Sequence, residues 1–209
     1  MEEKVKIGIM GGTFNPIHNG HLLLAETAYE DFDLDKVLIM PVKEPAHRNI
    51  SSNVSAKDRI NMVELAIKDN PHFELSLLEM EREGYTYTVD TVRQLKEEHP
   101  EHEYYFIMGA DSLYHFESWR EPDEILRYAV ILAAGRDHIA ESELEAQIEY
   151  LLEKYPFGKI FPLLTPSLEI SSHNIRKRVR NGRSIRYLLP KEVEEYALTH
   201  KLYQTTNSK

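Results

Sequence analysis

The chain has 209 residues, of which 42% are hydrophobic and 29% are charged, so it is long enough to bury one sizeable core. It contains no cysteine, which excludes disulfide bonds, cysteine-ligated zinc and a thiol nucleophile. The formal net charge of −10 argues against general nucleic-acid binding, because that mode needs a basic face. The sequence has no signal-peptide pattern and no membrane-length apolar run. We expect a cytoplasmic protein with no nucleic-acid or membrane partner, and a homo-oligomer stays open.

Short apolar runs alternate with helical patterns along the chain. The runs predict buried strands at residues 5–10, 37–40, 73–78, 104–108, 129–134 and 159–164. Helices are predicted from residue 20, over 55–67, 88–99, 122–127, 141–155 and 175–180, and after Pro190, with loops at 43–53 and 79–86. Because hairpin signals are lacking, we predict an α/β fold: a doubly wound parallel sheet with helices on both faces. We expect a single domain over residues 1–209, with a C-terminal helical part at about 170–205.

Four polar segments directly follow predicted strands. They are residues 11–21, 41–48, 109–111 and 135–137. In a doubly wound sheet, ligands bind beyond the carboxyl ends of the strands, where the strand order reverses. The sequence therefore predicts that these segments form a ligand site.

The first segment reads Gly-Gly-Thr-Phe-Asn-Pro-Ile-His-Asn-Gly-His and has the features of a phosphate-binding loop. Gly11 and Gly12 leave backbone N–H groups accessible, and the helix start that follows adds a positive dipole end. His18 and His21, three positions apart, are expected to face the same anion. A metal pair is an alternative, but no third ligand is evident. A purely structural role for one histidine is another, which the glycines and the strand context disfavour.

Three later features also suit a nucleotide. Arg176 adjoins a serine-rich helix start and can join its N–H groups around a polyphosphate. Tyr87 and Thr88 begin a helix whose first N–H groups can hold a carboxylate, although N-capping by Thr86 or Thr88 is compatible with the same pattern. Asp111 either accepts hydrogen bonds from ribose hydroxyls or caps a short helix at 112–115. Three other basic residues are predicted to form a solvated face: Lys177, Arg178 and Arg180.

Residues 11–21 are similar to the signature of the nucleotidyltransferase superfamily, in which a His-x-Gly-His motif lies on a Rossmann-like sheet. The full segment resembles that of bacterial nicotinate-mononucleotide adenylyltransferases. Further matches follow in the family's order along nearly the whole chain: Tyr-Thr-Val-Asp-Thr at 87–91, Gly-Ala-Asp-Ser-Leu at 109–113, Trp119, and Ile-Ser-Ser at 170–172 with Ile175 and Arg176.

This resemblance implies adenylyl transfer from ATP to nicotinate mononucleotide, by direct in-line attack and without a covalent enzyme intermediate. The catalytic groups are then predicted to be His18, His21 and Arg176. ATP is expected to contact these three and also Gly11, Gly12, Thr13, Phe14, Ile170, Ser171, Ser172 and Ile175. Mg²⁺ is expected to arrive with ATP, and no protein side chain is assigned to a metal.

The mononucleotide is expected to contact Lys43, His47, Arg48, Tyr87, Thr88, Gly109, Asp111, Trp119 and Arg136. The resemblance implies that Trp119 stacks on the pyridine ring, although a lone tryptophan is more often a packing residue. It also places Arg136 near the mononucleotide and supports His47 and Arg48. For Lys43, a surface role is an equal alternative.

Two alternatives belong to the same superfamily: a pantetheine-phosphate adenylyltransferase and a cytidylyltransferase for a phosphorylated alcohol or choline. A pantetheine enzyme is expected to be shorter and to lack the 87–91 segment and Trp119. An alternative from another class is a non-catalytic nucleotide sensor. The two histidines and Arg176 argue against a sensor, because binding alone does not need a cluster at the reacting phosphates.

Overall fold

Six parallel strands form the centre of the molecule, in a computed structural model that describes residues 4–43, 54–135, 141–166 and 168–204. In chain order the strands are β1 Lys6–Gly12, β2 Lys36–Pro41, β3 Phe73–Leu75, β4 Glu103–Gly109, β5 Ala129–Ala134 and β6 Ile160–Leu163. Across the sheet the order is β3-β2-β1-β4-β5-β6, and every neighbouring pair is parallel. The chain winds outwards in both directions from β1 and β4, which confirms the predicted doubly wound sheet.

Helices connect the strands throughout the described residues. They are α1 Asn19–Asp31, α2 Ala56–Ile67, α3 Leu78–Glu81, α4 Thr88–Glu98, α5 Ala110–Tyr114, α6 Pro122–Tyr128, α7 Glu141–Lys154, α8 Ser172–Arg180 and α9 Lys191–Thr199. Within those parts of the chain, none of these helices combines the length and the apolar character that crossing a membrane requires.

The sheet is buried on both faces. Along β4, Tyr105 and Ile107 pack into one core, whereas Tyr104, Phe106 and Met108 pack into the other. Helices α1, α2, α8 and α9 contribute to the first core, and α4, α5, α6 and α7 to the second. Burial on both sides explains why the strands are continuous apolar runs rather than alternating ones. The prediction of helices on both faces is therefore confirmed.

Local signals set several helix starts as predicted. The Ser55 hydroxyl accepts a hydrogen bond from the Asp58 backbone N–H at 3.1 Å, and the Asp58 carboxylate accepts one from the Ser55 N–H at 3.0 Å. This reciprocal pair satisfies two N–H groups at the start of α2. Pro122 occupies the first turn of α6, where its missing N–H costs nothing.

Two predicted boundaries were wrong. Strand β3 ends at Leu75, and the short helix α3 begins at Leu78, where the sequence predicted a strand to residue 78 and then a loop. Short apolar runs do not distinguish a strand from a buried helical turn, and β3 is an edge strand paired only with β2 in the described chain. At the other boundary, β1 continues to Gly12 instead of ending at residue 10.

Candidate active site

In a doubly wound sheet the ligand crevice lies where the strand order reverses, which here is between β1 and β4. The two strands are paired only as far as Ile9 and Phe106. Beyond that point β1 stays paired with β2 through Gly12 and Pro41, and β4 stays paired with β5 up to Gly109. Because the strand order reverses here, the carboxyl ends of β1 and β4 flank the position where doubly wound sheets bind ligands.

Gly11 and Gly12 are strand residues, and the loop proper begins at Thr13. A side chain at Gly12 would begin 3.0 Å from the Phe14 ring, so glycine is needed for this close approach. Phe14 has a φ of 46°, in the left-handed region that a bulky residue rarely adopts. Its ring is 2% exposed and meets the His21 ring edge-on, with centroids 5.1 Å apart. Packing of Phe14 therefore holds the loop in an unusual conformation beside His21.

His18 and His21 form a stacked pair at the start of α1. Their ring centroids are 3.6 Å apart at an interplanar angle of 21°, and His18 is 4% exposed. The His18 backbone N–H donates a hydrogen bond to Nδ1 of His21 at 3.2 Å. Because Nδ1 accepts, a neutral His21 carries its proton on Nε2. His21 thus has a fixed donor for an anion.

The C-terminal helices secure the loop. Nη1 of Arg176 donates a hydrogen bond to the Asn15 carbonyl at 2.7 Å. The Ser172 hydroxyl donates one to the Pro16 carbonyl at 2.8 Å. The buried Tyr203 hydroxyl donates to the Asn15 side-chain oxygen at 2.8 Å. Burial lowers the pKa of Arg176, yet an arginine stays protonated at neutral pH. A positive charge is consequently fixed against the same loop that carries the histidines.

Other predicted ATP contacts surround α8. Ser171 is the N-cap of α8, and its hydroxyl accepts from the Asn174 N–H at 3.2 Å. Ile170 packs near Gly20, with its Cβ 3.8 Å from where a Gly20 side chain would begin. The Ile175 side chain is fully buried in the core, so only its backbone is left to face a ligand. Of the basic residues predicted to be solvated, Lys177 and Arg180 are exposed, whereas Arg178 donates to the Ser184 carbonyl at 2.7 Å.

Arg59 is a functional candidate that the sequence reasoning missed. It is 2% exposed, and one Nη1 donates to the carbonyls of Thr13 at 2.9 Å and Val42 at 2.7 Å. Its guanidinium therefore joins the segments that follow β1 and β2. One feature of the sequence could have revealed that Arg59 is buried. It lies three and four positions before Met62 and Val63, which are also buried on α2, so it belongs to the apolar stripe of that helix.

The start of α4 lies beside the segment that carries Trp119. Tyr87 is the N-cap of α4 and makes no side-chain capping bond within the described chain, so the predicted alternative of capping by Thr86 or Thr88 is wrong. Thr86 is buried, and its hydroxyl has no partner among the described residues. The Arg120 guanidinium lies 4.9 Å from the centroid of the Tyr87 ring. This contact brings the start of α4 close to residue 119.

Trp119 is half-buried on aromatic residues of the second core. Its ring meets Phe106 edge-on at 6.0 Å and Phe116 at 5.6 Å between centroids. Phe106 also lies 3.9 Å from where a Gly11 side chain would begin. A single β4 side chain thus separates the phosphate loop from the tryptophan, so the two predicted half-sites share one crevice.

Of the remaining predicted residues, two are described by the structure and three are not. Asp111 is exposed as the second residue of α5, whose N-cap is Gly109, so the interpretation of Asp111 as a cap was wrong. Lys43 is exposed, and its Nζ lies 3.5 Å from the Arg82 carbonyl oxygen. Three predicted contacts lie outside the described residues: His47, Arg48 and Arg136.

A buried polar cluster behind α4 was also not predicted. The Thr91 hydroxyl donates to the Glu79 carboxylate at 2.7 Å and accepts from Arg82 Nη1 at 2.9 Å. Burial raises the pKa of Glu79. These bonds fasten the segment around α3 to the first turns of α4, close to the predicted carboxylate-binding N–H groups.

Replacing Gly20 with alanine tests the packing beneath His18. The new Cβ would lie 3.1 Å from Nδ1 of His18, so the imidazole must move by a few tenths of an ångström. We expect kcat for the predicted nucleotidyl transfer to fall, by less than the ~10²-fold that a displacement of about 1 Å causes. Alanine is favourable within a helix, so the melting temperature should stay nearly constant. Steady-state kinetics with thermal unfolding checks both; unchanged kcat contradicts the positioning argument.

Known proteins resemble this chain in sequence and in fold. Residues 9–178 match the cytidylyltransferase-like family. A protein of Lachnoclostridium phytofermentans named probable nicotinate-nucleotide adenylyltransferase is 48% identical, covering 95% of this chain and 98% of that protein. A protein of the same name from Thermoanaerobacter sp. is 41% identical, covering 98% of this chain and 97% of that protein.

The fold is also found in a solved structure, Plasmodium falciparum nicotinic acid mononucleotide adenylyltransferase complexed with APC. It superposes with a TM-score of 0.74 at 23% identity, covering 96% of this chain and 98% of that one. The structural likeness supports the Rossmann-like architecture, while the sequence relatives place the chain more narrowly. The chain belongs to the cytidylyltransferase-like family and, within it, to the nicotinate-nucleotide adenylyltransferases.

Proposed function

We propose that the chain transfers the adenylyl group of ATP to nicotinate mononucleotide, forming nicotinate adenine dinucleotide and pyrophosphate in NAD biosynthesis. The observation that carries this proposal is the shared crevice, in which Phe106 lies between Gly11 of the phosphate loop and Trp119. The chain's sequence relatives carry the corresponding enzyme name along almost their whole length.

The phosphate loop holds the reacting groups of both substrates. His21 Nε2–H, His18 and Arg176 supply donors and positive charge, and Ile170 and Ser171 lie on the ATP side of the loop. Two substrates that meet through their phosphates repel each other, so fixed donors are needed to bring them together. The stacked histidines and the anchored arginine are preorganised for that task.

The reaction needs no enzyme nucleophile. An oxygen of the mononucleotide phosphate forms a bond to the α-phosphorus of ATP, and the bond from that phosphorus to the bridging oxygen breaks, so pyrophosphate leaves on the opposite side. The attacking phosphate is already an anion at neutral pH, so no strong general base is required. His18, His21 and Arg176 act by stabilising the charge that develops on the phosphate oxygens.

The residues at the loop fit Mg²⁺ as a companion of ATP rather than as an ion held by the protein. The donor set at the crevice consists of imidazoles and a guanidinium, whereas Mg²⁺ prefers oxygen ligands. When bound, the ion neutralises phosphate charge. No described side chain is assigned to the ion, which would be carried by the phosphates of ATP, and the protein side chains would bind the phosphates themselves.

The acceptor side recognises an acidic pyridine mononucleotide. The uncapped N–H groups of α4 at Tyr87 and Thr88 receive the nicotinate carboxylate, and Trp119 stacks on the pyridine ring. Asp111 and Gly109 meet the ribose, and Lys43 with His47, Arg48 and Arg136 completes this side. An uncharged carboxamide gains less from a helix N-terminus than a carboxylate does, which favours nicotinate over nicotinamide.

One domain, residues 1–209, contains this machinery. Its C-terminal helical part, at about 170–205, supplies Arg176 and Tyr203 to the loop. The buried side chains of α8 and α9 belong to the same core as those of α1 and α2, which supports their assignment to the nucleotidyltransferase domain.

Product analysis with competing acceptors tests the proposal. The chain is supplied with ATP, Mg²⁺ and equal amounts of nicotinate and nicotinamide mononucleotides, and phosphopantetheine is offered in a separate reaction. We expect nicotinate adenine dinucleotide as the main dinucleotide, with equimolar pyrophosphate and no product without ATP. Activity with phosphopantetheine alone would instead identify a pantetheine-phosphate adenylyltransferase. Calorimetric binding of both nucleotides without product would identify a sensor.

A further inference from the structure

The turn between α4 and β4 carries two histidines and a glutamate in close proximity. Nδ1 of His99 lies 3.4 Å from the Glu101 carboxylate, and Nε2 of His102 lies 3.3 Å from it. One ligand atom from each of the three side chains lies within 4.8 Å of the other two. The turn precedes β4, so it is at the opposite edge of the sheet from the crevice, which follows the carboxyl end of that strand.

We propose that His99, Glu101 and His102 bind one Zn²⁺ ion. Imidazole nitrogens and a carboxylate oxygen are common zinc ligands, and a tetrahedral ion with bonds of about 2.1 Å separates its ligand atoms by about 3.4 Å. Both histidine–glutamate separations match that spacing. The histidine rings are stacked, with centroids 4.7 Å apart and an interplanar angle of 16°, so their in-plane lone pairs do not converge in this arrangement. His99 is exposed, and rotation of its ring is the change that completes the site.

A buried tyrosine orients one of the ligands. The Tyr104 hydroxyl donates to the Leu95 carbonyl at 2.9 Å, and its oxygen lies 3.4 Å from Nδ1 of His102. The hydroxyl proton is used by Leu95, so the tyrosine oxygen accepts from Nδ1–H. That tautomer leaves Nε2 of His102, the atom nearest Glu101, with a lone pair for a metal. Partners of this kind behind a ligating histidine fix its orientation and increase metal affinity.

The backbone of the turn is also held in place. Lys96 Nζ donates to the Pro100 carbonyl at 2.7 Å and to the His102 carbonyl at 2.6 Å, and the His102 N–H donates to the His99 carbonyl at 3.2 Å. The three ligands therefore project from one fixed turn, which lowers the entropic cost of binding. Three protein ligands leave a fourth position for water, and both histidines line an open surface depression.

Zinc bound here is expected to stabilise the fold without entering the reaction. An ion that binds only the native chain raises its stability, and at about 100 times Kd the melting temperature of a chain this size should rise by about 5 °C or more. Adenylyl transfer should be unchanged by substitutions in the turn, because the crevice lies at the other end of β4.

Calorimetric titration of the untagged, nucleotide-free full chain with Zn²⁺ tests this site. We expect the His99→Gln/His102→Gln variant to bind one equivalent fewer than the parent and to lose the thermal shift. Glu101→Gln and Tyr104→Phe should each weaken binding about 10-fold or more. His115→Gln, which replaces an exposed histidine elsewhere, is the matched control and should bind as the parent does.

Two results would overturn the proposal. One is a parent chain that binds no Zn²⁺. The other is equal stoichiometry and affinity in the parent and the His99→Gln/His102→Gln variant, which would place any bound zinc elsewhere, for example at His18 and His21. The histidine and glutamate variants change two exposed side chains and one half-buried side chain, and Tyr104→Phe changes a buried one. Circular dichroism verifies that all of them are folded.

Discussion

Replacing His18 with alanine is expected to lower kcat for adenylyl transfer by about 10²–10³-fold, the usual cost of removing one preorganised donor. His18 is almost fully buried, and its ring stacks on that of His21 with centroids 3.6 Å apart. The substitution removes the ring that we propose to stabilise charge, and it removes the support for the neighbouring ring. The KM for ATP should change little, since the lost interaction is strongest in the transition state. Steady-state kinetics with saturating nicotinate mononucleotide measures both parameters.

Two controls distinguish a loss of activity caused by misfolding from one caused by the missing ring. His18 precedes α1 and lies in no helix or strand, so we expect the variant to keep its circular dichroism spectrum and a cooperative thermal transition. His115→Ala, at an exposed position, should retain the parent kcat. Near-parent turnover by His18→Ala would exclude a role for this ring at the reacting phosphates.

The sheet and the position of the site could be predicted because both depend on short-range patterns. Apolar runs that alternate with helices imply parallel strands, and parallel strands place their following loops at one edge. Gly12, His18 and His21 are close in sequence, so their common location follows from local geometry. The tautomer of His21 could not be predicted in this way, because it depends on the 3.2 Å bond from the His18 N–H.

The supports of the loop escaped prediction because they are contacts between distant residues. Tyr203 reaches Asn15 across 188 positions, and Arg59 reaches Thr13 across 46. The two members of each pair do not belong to one helix or strand, so no periodic pattern in the sequence reveals their contact. The identity of the acceptor was also beyond residue-level reasoning, which indicated only an anion beside a helix start. The family resemblance supplied nicotinate, and it was the resemblance that singled out Trp119.

Replacing Arg59 with methionine is expected to destabilise the fold by about 3 kcal/mol, because buried acceptors left without a donor cost about 1–3 kcal/mol each. The Thr13 and Val42 carbonyls would both lose their partner. The loop that carries Phe14 in a left-handed conformation would then relax, so kcat should also fall about 10²-fold, as misplacements of about 1 Å do. Chemical unfolding and kinetics well below the melting temperature measure the two effects.

A comparison with Arg59→Lys distinguishes positioning of the loop from general stabilisation. Lysine keeps the charge, but its ammonium differs in reach from Nη1, which serves both the Thr13 and Val42 carbonyls. It also has no second nitrogen to replace Nη2, which lies 3.4 Å from the Lys43 carbonyl oxygen. We therefore expect part of the stability to return while kcat stays low. Lys57→Met, an exposed change on the same helix, should alter neither. If kcat recovered in proportion to stability across this series, Arg59 would be a core residue only. A kcat that stays low in the stabilised variant means that the contacts of the guanidinium set the distance between the loops that follow β1 and β2.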